Sequence, residues 1–209
     1  MRYLDIDSWN RKQHFSFFNT FSDPYFAVTA AVDVTNAFKY AKEEGLSFFA
    51  VYLHACMRAI NAIENFKYRI HDEDQVVVYN VIHASPTILR EDTTFGFSFI
   101  HFNEDLSFFS DNIAKEKARI FNSDDLFPPT NTDDCIYCSA MPWINFTGHK
   151  EPVNGNIRES VPKLAFGKAE LVNGKRLMNV SVSVNHALMD GYHVGLFFEK
   201  FQNFLNHIN

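Results

Sequence analysis

The chain has 209 residues, 46% of them hydrophobic and 16% aromatic, with a formal charge of −6. That length suits one large domain with a substantial core, and the acidic balance without any basic run argues against nucleic acid and anionic membrane surfaces as partners. No apolar stretch is long enough to span a bilayer, and the opening Met1-Arg2-Tyr3-Leu4-Asp5-Ile6-Asp7 lacks signal-peptide anatomy, so a cytoplasmic protein is expected.

In chain order, Ser8 is expected to cap a first helix running through Trp9, Phe15 and Phe18 and ended by Asp23-Pro24. Residues 26–34 alternate as a strand, and Thr35 caps a helix that closes at Gly45. Ser47 opens a longer apolar helix reaching about Ile63. Residues 68–81 read as a hairpin turning at His71-Asp72-Glu73-Asp74. Strands at 87–90 and 95–102 precede a helix from Asp105 to about Phe121, and Phe127-Pro128-Pro129-Thr130-Asn131-Thr132-Asp133 is a loop. Strands follow at 135–140, 163–171 and 176–186, the last two joined by a turn at Asn173-Gly174. A closing helix carries Val194, Phe197, Phe198, Phe201 and Leu205 at helical spacing. This mixture of hairpins and helices predicts an α+β fold (a mixed-sheet α/β two-layer sandwich) in a single domain over residues 1–209.

Cys56, Cys135 and Cys138 make no disulfide framework. Cys135-Ile136-Tyr137-Cys138 is formally a C-x-x-C, but on a strand positions three apart face opposite sides of the sheet. Zinc would also need a second ligand pair at suitable spacing, so buried thiols and no metal are expected. The 23 phenylalanines exceed ordinary core filling, which suggests that some line an apolar pocket or an interface.

The most informative stretch lies near the C-terminus. Val180, Val182, Val184 and then His186 share one face of the last strand, with Ser181, Ser183 and Asn185 on the other. An imidazole at the rim of a firm element, just before Asp190-Gly191, is placed as a general base would be. Spacing alone suggests a His186–Asp190 dyad.

The run Ser183-Val184-Asn185-His186-Ala187-Leu188-Met189-Asp190-Gly191-Tyr192-His193 resembles the active-site signature of the chloramphenicol acetyltransferases, Q-x-H-H-A-x-x-D-G-[FY]-H. Dihydrolipoamide acyltransferases and peptide-synthetase condensation domains share H-x-x-x-D-G, but further matches favour the first family. Trp9-Asn10-Arg11-Lys12-Gln13-His14-Phe15 is similar to its W-x-R-[RK]-x-H-F, and Ser139-Ala140-Met141-Pro142-Trp143-Ile144-Asn145-Phe146 to its S-A-x-P-W-[VI]-x-F. Glu91-Asp92-Thr93-Thr94-Phe95 loosely fits E-T-x-T-F. No lipoyl-type domain or Ala/Pro-rich linker precedes the signature, which sets the dihydrolipoamide branch aside.

The resemblance implies direct acetyl transfer from acetyl-CoA, a co-substrate rather than a bound cofactor, to a hydroxyl of an acceptor such as chloramphenicol. It implies His186 as general base, Ser139 as donor to the oxyanion, and Asp190 paired with Arg11 as a buried structural ion pair. Gly191 would permit a tight turn after it. Phe17, Phe18, Phe26, Phe95 and Phe127 would line the acceptor pocket, and Trp143 and Lys168 the coenzyme side. Homotrimers with sites at subunit interfaces are implied as well. Asn185, Ser183, Phe18 and Ala165 depart from the family pattern, where a histidine, a glutamine, a tyrosine and a threonine are usual. The alternatives are an acyltransferase of the same fold with another hydroxyl acceptor, or a non-catalytic trimeric binding module. No functional role is expected for the remaining histidines, His193 and His14 included.

Overall fold

The computed structural model describes residues 1–72, 75–154 and 159–208. The N-terminal segment departs from expectation at once. Arg2–Tyr3 forms a short strand, β1. Ser8 caps nothing; its hydroxyl donates to the Asp5 carboxylate at 2.7 Å. The first helix, α1 (Lys12–Phe18), starts four residues later, behind Arg11, because residues 6–12 turn on themselves through Trp9 N–H to Ile6 C=O and Lys12 N–H to Trp9 C=O. Trp9 instead lies against Phe15 and Tyr68, at ring centroid distances of 5.9 and 5.7 Å.

Strand β2 (Tyr25–Asp33) leads into α2 (Thr35–Glu43). Thr35 is the first helical residue rather than the cap, and its hydroxyl bonds Asp33 and accepts Arg176 N–H. The apolar α3 (Phe48–Asn61) follows behind Ser47, and a 3-10 turn at Glu64–Lys67 was not foreseen. Next come β3 (Tyr68–Asp72) and β4 (Gln75–Val78), which pair antiparallel as expected; Glu73 and Asp74 of the expected turn lie outside the described residues. β1 joins them to make a separate three-stranded sheet of order β1-β4-β3.

Strand β5 (His83–Leu89) begins earlier than the expected residue 87 and contains Pro86, although proline is disfavoured inside a sheet. Tertiary pairing overrides that local cue: residues 83–86 run parallel to 135–138, and the Pro86 carbonyl still accepts from Ser98 N–H and Oγ. β6 (Phe95–Phe97) is shorter than expected. α4 (Leu106–Phe121) is capped by the Asp105 carboxylate, which accepts from Ser107 and Phe108 N–H.

Strands β7 (Cys135–Ala140), β8 (Lys163–Val172) and β9 (Lys175–Asn185) fall where alternation placed them. Asn173 and Gly174 both have positive φ, +50° and +81°, the turn that matches the twist of a two-residue hairpin. The last helix is α5 (Gly191–Asn206). The main sheet has six strands in the order β2-β9-β8-β7-β5-β6 and is mixed, with β5, β7 and β8 parallel and the rest antiparallel. The expectation of a mixed-sheet α/β two-layer fold holds.

The two faces of that sheet differ in chemistry. Val180, Val182, Val184, Leu164, Ile136 and Cys138 point into one core with apolar residues of α2, α3, α4 and α5. Apolar surface buried in this way contributes ~25 cal/mol per Å². Cys135, on the opposite face, belongs to a different cluster with Phe99 and Val161, so the two thiols of the C-x-x-C are divided by the sheet; all three cysteines are free and buried. Part of the second face is small and polar: the register sets Ser139, Ala165, Ser181 and Thr29 side by side across four strands. Arg69, fully buried, ties the small sheet to β7 by donating to the carbonyls of Phe66, Tyr68, Asp133 and Cys135.

Candidate active site

β9 stops at Asn185, one residue before the imidazole, so His186 opens a turn rather than ending a strand. Its backbone is pinned by donation of its N–H to Pro24 C=O at 2.9 Å. The ring is clamped by aromatics: Phe18 of α1 stacks on it at 4.0 Å with planes 7° apart, and Phe26 of β2 lies at 4.6 Å. Two rings on one imidazole remove its rotational freedom, which is what a group that must meet a substrate in one orientation needs.

Beneath the ring sits Asp190. Arg11 pairs with it through both guanidinium nitrogens, one at 2.9 Å from Oδ1 and the other on Oδ2. The same guanidinium donates to His186 C=O at 3.2 Å. Arg11 thus binds the turn as well as the carboxylate, and its position just before α1 is why this cation reaches the C-terminal segment. Arg11 holds the Asp190 carboxyl below the ordinary carboxylate range. Spacing and family pattern each described one contact of this aspartate, and both are present: Asp190 Oδ1 also lies 3.2 Å from His186 Nδ1. That approach lacks hydrogen-bond alignment, so it is a charge contact. The negative charge there still favours the tautomer with its proton on Nδ1, which leaves the Nε2 lone pair for an incoming proton.

Gly191 is not a turn residue. It is the first residue of α5, its φ is not positive, and a Cβ there would meet nothing within 4 Å. The adjoining His193, given no role from sequence, accepts Asp190 N–H at Nδ1 at 3.0 Å. Burial, with Arg11 nearby, pushes its pKa down, so it remains the neutral acceptor this bond requires. A histidine three residues into a helix that starts at an aspartate is the available sequence signal for such reciprocal capping. Asn185 is equally structural: its amide donates to Glu159 C=O and its oxygen accepts Ala187 N–H, which braces the turn from below.

Ser139 stands elsewhere. It faces a cavity of about 800 Å³ walled by Phe49, Phe95, Phe97, Tyr137 and Met141, with Trp143 at its edge. Phe127 stacks on Phe97 at 5.5 Å. Lys163 and Glu159 form an ion pair at 2.5 Å in the same wall, which the sequence reading did not pick out. Register places Ser139 level with Ser181, two strands from β9, and His186 lies five residues further along. With strands ~4.8 Å apart and a rise of ~3.3 Å per residue, the two are about 19 Å apart within a chain.

The expected pocket aromatics divide accordingly. Phe17, Phe18 and Phe26 lie on the His186 side, where Phe17 packs edge-on to Phe18; Phe95 and Phe127 lie on the Ser139 side. Trp143 is exposed at the cavity. Lys168 does not line it; its ammonium pairs with Glu170 at 3.0 Å. Among the described residues no cluster of His, Cys, Asp or Glu could hold a metal ion, and no helix is long and apolar enough to cross a membrane.

Comparison with known proteins adds an independent line. A family model described as chloramphenicol acetyltransferase matches residues 1–202. Similar curated proteins include a chloramphenicol acetyltransferase of Proteus mirabilis, 25% identical over 96% of this chain and 93% of its own length. Another, from Bacillus pumilus, is 28% identical over 96% and 92%. A solved chloramphenicol acetyltransferase superposes with a TM-score of 0.84 at 29% identity, covering 97% of this chain and 98% of the other. The dihydrolipoamide acetyltransferase of Azotobacter vinelandii shares the fold at a TM-score of 0.69 and 15% identity, over 94% and 87%.

Proposed function

The chain belongs to the chloramphenicol acetyltransferase family, and on that premise we propose that it transfers the acetyl group of acetyl-CoA to a hydroxyl of chloramphenicol. His186 Nε2 takes the proton of the acceptor hydroxyl as its oxygen attacks the thioester carbonyl. Ser139 donates to the oxygen that becomes negative in the tetrahedral intermediate. Collapse expels the CoA thiolate, which takes the proton back from the imidazolium. No acyl-enzyme forms. Arg11 and Asp190 hold the base in place and in the right tautomer.

The observation that carries this reading is the clamped imidazole, stacked on Phe18 and set over a carboxylate that Arg11 already neutralises. A passive binding module has no use for such a constraint. The separation of Ser139 from His186 supports a homotrimer in which the base of one subunit serves the cavity of the next. Phe17, Phe18 and Phe26 would then close against Phe95 and Phe127 to make the acceptor pocket. Trp143 and Lys168 would lie toward the coenzyme. All of residues 1–209 would form one domain, working in the cytoplasm to inactivate the antibiotic.

The test is acetyl transfer by the purified protein, read as free thiol from acetyl-CoA with identification of the product. Acetylated chloramphenicol supports the proposal. Thiol release with other alcohols but not chloramphenicol would keep the chemistry and move the acceptor, as Phe18 in place of a hydroxyl-bearing ring allows. Binding of acetyl-CoA without turnover on any acceptor would leave only a binding role.

A further inference from the structure

Four ionisable side chains of the Ser139 cavity, Lys163, Glu159, Glu151 and His149, gather at one end of it, in a wall made elsewhere mainly of rings and aliphatic groups. Lys163 stands directly across the parallel pair from Tyr137. Tyr137 lies two residues before Ser139 on the same face of β7, ~6.6 Å along the strand. Lys163 Nζ bonds Pro152 C=O, which brings the neighbouring Glu151 to the same place. The other lysine of the wall, Lys117, is exposed on α4 and belongs to the far end. There α4 lies along β6, with Arg119 donating to Phe97 C=O at 2.8 Å, and β6 is three strands from β8, ~14 Å away.

These charges are unevenly paired. The Lys163 ammonium donates to Glu159 and to Pro152 C=O, each at 2.5 Å, and the Tyr25 ring lies 5.1 Å from it. The protein itself therefore satisfies this cation, and little of its charge remains for a ligand. Glu151 is different. Among the described residues it pairs only with His149, whose Nε2 is 3.7 Å from Oε1, longer than a hydrogen bond. Its side chain is 21% exposed and lines the cavity. With imidazole uncharged, this end carries two carboxylates against one ammonium, an excess of one negative charge beside aromatic rings. A carboxylate in such surroundings is costly unless something compensates it.

We propose that the cavity takes a second class of acceptor beyond chloramphenicol, an alcohol that carries an ammonium group, with Glu151 as the counter-ion; this rests on the acetyl-transfer reading above. Glu151 supplies the opposite charge, and aromatic faces such as that of Tyr137 attract a cation that water has left. The acceptor's hydroxyl then lies toward Ser139, where the thioester carbonyl is attacked. The chemistry is unchanged: an oxygen–acyl bond forms, the carbon–sulfur bond of acetyl-CoA breaks, and the hydroxyl proton passes through the imidazole to the CoA thiolate. The ammonium group takes no part beyond binding. An anionic acceptor is disfavoured, because Lys163 is already neutralised and Glu151 repels it.

The experiment measures kcat/KM at pH 8, as thiol release from acetyl-CoA, for trimethylammonium alcohols of increasing chain length. Each is compared with its tert-butyl analogue, which has the same shape and no charge, and chloramphenicol is assayed beside them. The quaternary nitrogen cannot itself be acetylated, so only the hydroxyl reports. In the wild type at least one ammonium alcohol is expected to exceed its analogue about tenfold. In Glu151→Gln that ratio falls to within about twofold of one. Benzyltrimethylammonium, which has no hydroxyl, is expected to inhibit transfer to chloramphenicol by competing with the acceptor, and about tenfold more weakly in Glu151→Gln. A wild-type ratio near one at every chain length overturns the inference without any variant. So does a ratio that Glu151→Gln leaves intact, or an absence of inhibition by benzyltrimethylammonium. Transfer to chloramphenicol in those cases leaves the acetyl-transfer reading standing. A wild type that transfers to no acceptor removes both.

Discussion

The His186 turn and the Ser139 cavity are built on opposite principles. The turn is crowded and charged: two aromatic rings, a guanidinium, a carboxylate and a second histidine fix one imidazole. The cavity is open and mostly apolar, and Ser139 faces it from β7 among rings. A proton acceptor must be held in one tautomer and direction, whereas an oxyanion donor needs only a firm backbone and a dry approach. On the proposed mechanism neither half is a complete site and the sheet holds them apart, so the difference teaches that assembly, rather than folding of one chain, would bring the halves together.

The sharpest way to break this picture is His186→Ala. Transfer is expected to fall ~10³–10⁴-fold with folding intact, as for loss of a general base. Near-normal thiol release from that variant would end the proposed mechanism. Ser139→Ala should follow at ~10²-fold, seen in kcat with KM little changed. The two variants together test the division of labour. Refolded as an equal mixture, about a quarter of all interfaces in the trimers formed would pair an intact base with an intact donor and regain activity. Activity no higher than that of either parent would mean that subunits do not share sites.

Smaller effects sharpen the turn itself. Asp190→Asn leaves Arg11 buried with a weakened partner; a fully buried pair broken this way costs about 3–5 kcal/mol, and exposure of a third of the Asp190 side chain reduces the expected loss to about 2 kcal/mol in denaturant unfolding at pH 7. Because the folded Asp190 pKa is depressed, its contribution is complete above the ordinary value of ~3.9 and is lost as pH falls through the folded value. The stability gap between wild type and variant should therefore close in acid. An unchanged gap at pH 3 would show that charge is not what the pair contributes. His193→Ala should cost about 1 kcal/mol through the lost acceptor for Asp190 N–H. His193 is also depressed, so its share is complete above the usual imidazole value of ~6.5 and declines as pH falls through the folded value. Unfolding at pH 7.5 and 5.5 would show the variant gap narrow at the lower pH.

Much of this was legible in the chain. Period-two alternation located β7, β8 and β9, Asn173-Gly174 announced their hairpin, and Asp105 its helix. His186, Asp190, Arg11 and Ser139 stood out by residue type and motif. Other local cues misled. Ser8 carried a capping signal but bonded Asp5, and Gly191 suggested a turn where a helix begins.

Sequence alone determined the elements whose pattern repeats along the backbone, because alternation and capping are local properties that a few neighbouring residues specify. It also named the side chains proposed to carry the chemistry. Tertiary structure alone decided the rest: the pairing of β1 with β4, the embrace of Asp190 by Arg11 together with His186, the service of His193 to Asp190, and the row of Ser139, Ala165 and Ser181. Those contacts join residues far apart in the chain, and their register is set by burying the valine face of the sheet under the helices. A one-residue slip would turn every serine of that row into the core, and the desolvation of its hydroxyls is what forbids it.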